Sequence, residues 1–260
     1  MLTETVLAIV SGGFVGFILG LLGGGGSILA TPLLLYAVGT EPHVAIGTGA
    51  FAVSVNAYLN LFNHARKGHI WWKCAGFFAV FGCLGALAGS TIGKSIDSSK
   101  LLFLFGLMMM VVGALMLRSG KRVVNHMRHE SVQTHSKTLA IGFLTGLTSG
   151  FFGIGGGFLI VPGLILATGM PTISAVGSSL LAVGTFGLTT ALNYAASGLV
   201  DWWIASEFIV GGIAGGIGGM IASTSLSNGK DVLHRYFAAL VFLVAIYILY
   251  RSGSELLTAA

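Results

Sequence analysis

Long apolar stretches separated by short polar breaks organise the chain. A glycine-interrupted stretch over about 5–38 is followed by apolar runs near 44–64, 71–93 and 101–118. Each run is long enough to cross a hydrocarbon core of about 30 Å as an α-helix rising about 1.5 Å per residue. A polar segment, 119–136, contains KRVVNHMRHESVQTHS and closes the first half. The same order then returns, with a glycine-interrupted stretch near 138–168 and apolar runs near 174–196, 202–222 and 232–250. The predicted fold is an all-α polytopic membrane protein with two homologous halves. Each half has a Gly-broken or re-entrant first segment and three long transmembrane helices. The halves, 1–118 and 137–260, are joined by a polar cytoplasmic linker over 119–136 and together form one integral membrane domain of the cell membrane.

The halves align without a gap at a constant displacement of 130 positions (Pro162 on Pro32, 162 − 32 = 130). Gly16, Gly20 and Gly23 meet Gly146, Gly150 and Gly153, while Asn63 meets Asn193 and Trp72 meets Trp202. Glycine pairs arise easily by chance in a chain with 41 glycines, but proline, asparagine and tryptophan matches in one register point to a duplication.

The first segment of each half is the anomaly. Four consecutive glycines, Gly23 to Gly26, or Gly153 with Gly155 to Gly157, favour a break in a helix, and Pro32 or Pro162 removes a backbone donor nearby. Broken backbone cannot face hydrocarbon with unpaired amides, so it must be enclosed by protein or line a cavity. The competing explanation is close helix packing, which small residues also permit. An inverted repeat brings the two breaks together from opposite membrane faces. It leaves Lys94, Lys100 and Arg251 outside and the other ten Lys and Arg inside (13 − 3 = 10). A parallel 4+4 repeat shifts that balance by a single charge and stays open as the alternative.

Composition narrows the class. With 55% hydrophobic and 8% charged residues and a mean hydropathy of +0.92, the chain is no ordinary soluble domain. The formal charge of +5 does not indicate nucleic acid, because Arg118, Lys121, Arg122, Arg128 and Lys137 gather around the central polar segment, as in a cytoplasmic membrane loop. Cys74 and Cys83 lack metal-ligand spacing and read as core residues, and the N-terminal MLTETVLAIV lacks the positive region of a cleaved signal.

A helix starting after each break would turn unpaired N–H groups towards a cavity, where they attract anions without a permanent charge. Gly23, Gly24, Gly25, Gly26 and Ser27, with Gly153, Gly155, Gly156 and Gly157, are the expected donors. Pro42 and Pro171 suit helix starts, and Thr48, Ser178 and Ser179 follow them with hydroxyls that serve either an oxyanion or a preceding carbonyl. Asn56, Asn60 and Asn63 form a stripe facing the bundle, and Asn193 repeats Asn63. Glu207 is the candidate for proton coupling, with a solvated interfacial carboxylate as the alternative. His126, His129 and His135 match no closed metal motif, and Trp71, Trp72, Trp202 and Trp203 match interfacial anchors. No nucleophile set, metal site or cofactor fingerprint is found, so neither an enzyme nor a cofactor is expected.

GLLGGGGSILATP and GFFGIGGGFLIVP, followed by HVAIGTGAFAV and ISAVGSSLLAV, resemble the sulfite/organosulfonate exporter family of TauE/SafE-like transporters over about residues 8–250. The resemblance implies movement of small sulfur oxyanions (sulfite, thiosulfate or organosulfonate); the two facing repeats add the expectation of alternating access, with proton and sodium as the coupling ions to be tested. It carries Gly23 to Gly26, Pro32, Gly153, Gly155 to Gly157 and Pro162 over as path residues. GGGG opposite GIGGG, and GTG opposite GSS, are departures that bear on whether both halves contribute equally. Other readings are a structural membrane protein whose glycines only pack helices, and a cation transporter using Glu207 and the Asn stripe. Membrane lipid is an expected partner and nucleic acid is not. Small-residue surfaces permit dimerisation, and internal duplication equally supplies a two-fold arrangement within one chain, so the sequence leaves the oligomeric state open.

Overall fold

The computed structural model describes residues 2–22, 24–66, 68, 70–118, 132–170, 172–225 and 230–258. They form helices α1 (Leu2–Leu22), α2 (Ala30–Leu33), α3 (Pro42–Arg66), α4 (Trp72–Ser95) and α5 (Ser98–Arg118), then α6 (Val132–Phe152), α7 (Gly157–Thr168), α8 (Thr172–Ala195), α9 (Trp202–Ser225) and α10 (Lys230–Thr258). Seven helices among the described residues are long and apolar enough to cross a membrane. They include the six expected runs and, in addition, Thr3–Leu21 of α1. The first arm of the first broken segment is thus of full crossing length rather than a half-helix. α6 begins at Val132, inside the stretch expected as linker. Gly23, Pro171 and the histidines at 126 and 129 lie outside the described residues.

Glycine lets the helices touch backbone to backbone. α1 and α9 run parallel, and a methyl on Gly12, Gly16 or Gly20 would collide with the carbonyl of Phe208, Gly212 or Gly216. From the other side, Gly211, Gly215 and Gly219 press on the carbonyls of Ile9, Gly13 and Phe17. The equivalent pair is α6 on α4, where Gly146 and Gly150 meet Gly82 and Ala86, and Gly85 and Gly89 meet Phe143 and Leu147. Small residues four apart place both sets on one helix face. The most extensive helix contacts therefore join the first helix of one half to a helix of the other, and each has its counterpart 130 positions away.

The remaining packing fixes direction. α3 and α8 are antiparallel, since Gly47 meets Leu199 and Tyr194 while Gly184 meets Tyr58. α5 and α10 are antiparallel as well, Gly106 against Leu249 and Gly113 against Phe242. We call the end where α3 begins the upper end. Gly68 and Gly198, both at positive φ, close the turns after α3 and α8 at opposite ends. The exposed pairs Trp71 and Trp72, and Trp202 and Trp203, open α4 and α9 at those same opposite ends, as interfacial aromatics do.

Candidate functional site

Both broken segments are helical hairpins, built differently. In the first, Gly24–Leu29 is a 3-10 turn, followed by α2 and a π turn over Leu34–Val38. Pro32 removes one amide from the ladder, and the wider turn after it ends at Gly39 (φ 86), where Thr40 donates from both N and Oγ1 to the Leu34 carbonyl at 3.1 and 2.9 Å. This return arm leads back to where α1 began: Glu4 of α1 and Gly39, Thr40 and Glu41 beyond the arm line one upper depression of about 300 Å³, with Asp201 and Ile204.

In the second, α6 stops at Phe152 and the chain turns through Gly153, Gly155 and Gly156, all with φ near 65° (66, 65 and 66). Only glycine takes three such positions cheaply. Gly156 then precedes α7, accepting from the amides of Leu159 and Ile160 at 2.9 Å, while Gly157 supplies the first residue of that helix. Among the described glycines of the first break, Gly24 to Gly26, none has positive φ. GIGGG and GGGG are thus different turns.

The two hairpins meet on one stripe of α3. Gly153 lies against Ile46, a methyl on Gly155 would stand 3.2 Å from both Val53 and its counterpart Val183, and Thr31 of the return arm faces Gly49 between them. α7 also packs on the Gly24–Leu29 turn. Beside this meeting point two buried hydroxyls, Thr31 Oγ1 and Ser149 Oγ, lack a protein partner. Ser149 lies directly against Gly156, its Oγ 3.0 Å from where a Cβ would stand. An unpaired buried hydroxyl or amide is disfavoured by about 1–3 kcal/mol, so these groups mark a place suited to a polar guest or water. Gly25 has only a Phe237 ring carbon nearby, at 3.7 Å, whereas Gly26 is pressed against the backbone of Val15 to Leu19.

The sequence pattern of the family described as Sulfite exporter TauE/SafE matches residues 8–248. A probable membrane transporter protein of Xylella fastidiosa (strain 9a5c) is 61% identical over 253 residues, 96% of this chain and 97% of that one. The probable membrane transporter protein MJ0441 of Methanocaldococcus jannaschii is 31% identical over 68% of this chain and 67% of its own, and YunE of Bacillus subtilis is 27% identical over 81% and 84%. The chain belongs to the sulfite exporter TauE/SafE family. It is a multi-pass integral membrane protein, and no solved structure matches it.

Within this TauE/SafE chain the other expected site residues fall into distinct settings. Thr48 Oγ1 accepts from the Asp201 amide at 2.9 Å, and its counterpart Ser178 Oγ accepts from the Trp71 amide at 3.0 Å. Each hydroxyl therefore pins the loop before a helix of the opposite half. Ser179 donates to Val176 in its own helix, and Asn60 and Asn63 donate to Asn56 and Leu59 in theirs. Ser27 is fully buried. Pro42 opens α3, and Pro162 lies inside α7.

Asn193 sits at the upper end, donating to Ser90 and Thr91 of α4 at 2.6 and 3.0 Å. Lys94 donates to its Oδ1 and its carbonyl, both at 2.9 Å, and to Ser197 at 2.8 Å. A cation on the last carbonyls of α8 also suits the negative end of that helix. In sequence Lys94 is only one of the outside charges, because its partner lies 99 positions away. Thr31 and Ser149 were legible only as hydroxyls flanking the breaks. Glu207 is 8% exposed, and its Oε1 is buried without a partner, so it is not a freely solvated interfacial carboxylate. Among the described residues no group of three or more His, Cys, Asp or Glu is arranged to hold a metal ion.

Proposed function

We propose that the chain moves small sulfur oxyanions, of the sulfite, thiosulfate or organosulfonate kind, by alternating access between two inverted repeats. Each repeat contributes a re-entrant hairpin and three crossings. The antiparallel α3 and α8 pair and the return of Glu4 and Thr40 to one end support the inversion. The observation that carries the transport reading is the convergence of both broken hairpins on the Ile46, Gly49 and Val53 stripe, beside two buried hydroxyls, of Thr31 and Ser149, that lack protein partners. Backbone N–H groups at the start of α7, together with Thr31 and Ser149, offer an oxyanion neutral donors, so entry and release require no strong ion pair to form or break. The sulfur in the substrate class comes from the family resemblance.

Glu207 is assigned to proton coupling. It lies one turn below Ile204, which lines the upper depression holding Glu4, Glu41 and Asp201. An ionisable residue buried within a membrane-spanning helix marks a functional position.

The test is flux into or out of sealed vesicles with sulfite, thiosulfate and an alkanesulfonate, against carboxylates of matched size. Saturable, protein-dependent flux of the sulfur anions is expected. Correctly inserted protein that moves none of them would overturn the reading, and flux of sodium alone would favour the cation pathway.

A further inference from the structure

We infer that the outer flank of the first hairpin is a binding site for one membrane phospholipid with an anionic headgroup. A groove of about 360 Å³ runs between Phe14 of α1, the return arm (Leu29, Pro32, Leu33, Tyr36) and α10 (Leu240, Val244, Tyr247). Its walls are almost wholly apolar. At its upper rim Tyr36 and Tyr247 pack edge to face with centroids 5.1 Å apart. The Arg251 guanidinium lies 5.3 Å over the Tyr36 ring and donates to the Tyr247 hydroxyl at 3.2 Å.

Length, charge and position converge on this occupant. Leu240 to Arg251 is eleven steps along α10, about 16 Å of helix. That is close to one leaflet of a hydrocarbon core about 30 Å thick. An acyl chain laid along the groove from the upper leaflet therefore brings its phosphate to Arg251, which is held in place by two rings that suit the interface. The aromatic pair of the rim is not part of the duplicated scaffold: the positions matching Tyr36 and Tyr247 are Leu166 and Leu117. The groove also backs the 3-10 and π turns, so a chain seated there braces the broken arm against α10.

The full-length protein would be released from nanodiscs containing equal amounts of phosphatidylglycerol and phosphatidylcholine with identical acyl chains, and bound lipid counted by native mass spectrometry. Wild type is expected to retain phosphatidylglycerol about fivefold over phosphatidylcholine, the preference one arginine gives for an anionic lipid. Arg251→Gln, at an exposed position that leaves the fold intact, should bring the ratio to about one. Val244→Trp, which fills the groove, should remove both lipids, while Lys100→Gln, on α5 at the same end, should change neither. Excess inorganic phosphate should displace nothing. Retained preference in Arg251→Gln, an equal loss in Lys100→Gln, or displacement by phosphate alone would each overturn the assignment.

Discussion

Matching alanine substitutions in the two breaks should behave oppositely. Gly155→Ala places a methyl at φ 65, where an L-residue is disfavoured by about 1–2 kcal/mol. The same methyl stands 3.2 Å from Val53 and Val183, and such overpacking adds about 1–3 kcal/mol. A total near 3 kcal/mol, at roughly 2–4 °C per kcal/mol, lowers the unfolding midpoint by about 6–12 °C. Gly25 has no positive φ, and its methyl would meet one ring carbon of Phe237 at an ordinary 3.7 Å. Gly25→Ala should therefore raise the midpoint slightly, because the unfolded chain loses about 0.4–1 kcal/mol of freedom. Flux should separate from stability. If an oxyanion approaches the amides around Gly25, the methyl lengthens a hydrogen bond to an anion, worth about 1.5–3 kcal/mol, and apparent affinity falls about tenfold or more. Thermal unfolding in detergent, followed by tryptophan fluorescence, and vesicle flux on the same preparations make the comparison. Equal midpoints would refute the difference in turn geometry. Wild-type affinity in Gly25→Ala would refute close solute approach to that backbone.

Three further perturbations probe other parts of the molecule. Lys94→Met removes the donor that ties α4 to the end of α8 and should destabilise by about 2 kcal/mol, with Asn193→Ala adding much less in the double variant than alone; additive losses in unfolding experiments would refute the brace. Glu207→Gln should leave substrate flux but abolish its response to an imposed proton gradient, and by removing a partly buried charge it should not lower the unfolding midpoint; unchanged gradient dependence would dismiss the coupling role. In a background carrying Cys74→Ser and Cys83→Ser, Arg66→Cys and Ala196→Cys occupy equivalent exposed positions at opposite ends. An impermeant maleimide should label them from opposite membrane faces, and labelling of both from one face would rule out inversion.

The long helices were legible because their apolar runs have sharp chemical ends: Pro42 and Gly68 bracket α3, and Trp202 opens α9. The register of the duplication was equally readable, and contacts across the molecule follow it. What glycine does at each position was not. Gly16 and Gly25 look alike in sequence, yet one lies on the Gly212 carbonyl and the other has only a Phe237 ring carbon at ordinary contact distance. That difference belongs to the partner helix, which enters the chain far downstream. The same reason hid Lys94 behind Asn193 and gave Thr48 and Ser178 to loops of the opposite half, since each interaction joins elements about a hundred or more positions apart. Glu207 reads as an interfacial acid from its place near a helix start, and only the packing around α9 buries it.

The backbone-to-backbone seam between α1 and α9 has a consequence for biogenesis. α1 ends at Leu22 and α9 begins at Trp202, 180 residues later (202 − 22 = 180). At about 5–20 residues per second, the ribosome needs roughly 10–40 s to deliver the second strand of that seam. Throughout that interval the glycine face of α1 is in the bilayer without its mate, exposing a furrow of carbonyls that lipid tails fill poorly. Insertion must therefore retain or shelter the first helix until α9 has been made, and a ribosome that stalls before it leaves behind a fragment whose most adhesive surface is still open to any other small-residue helix nearby.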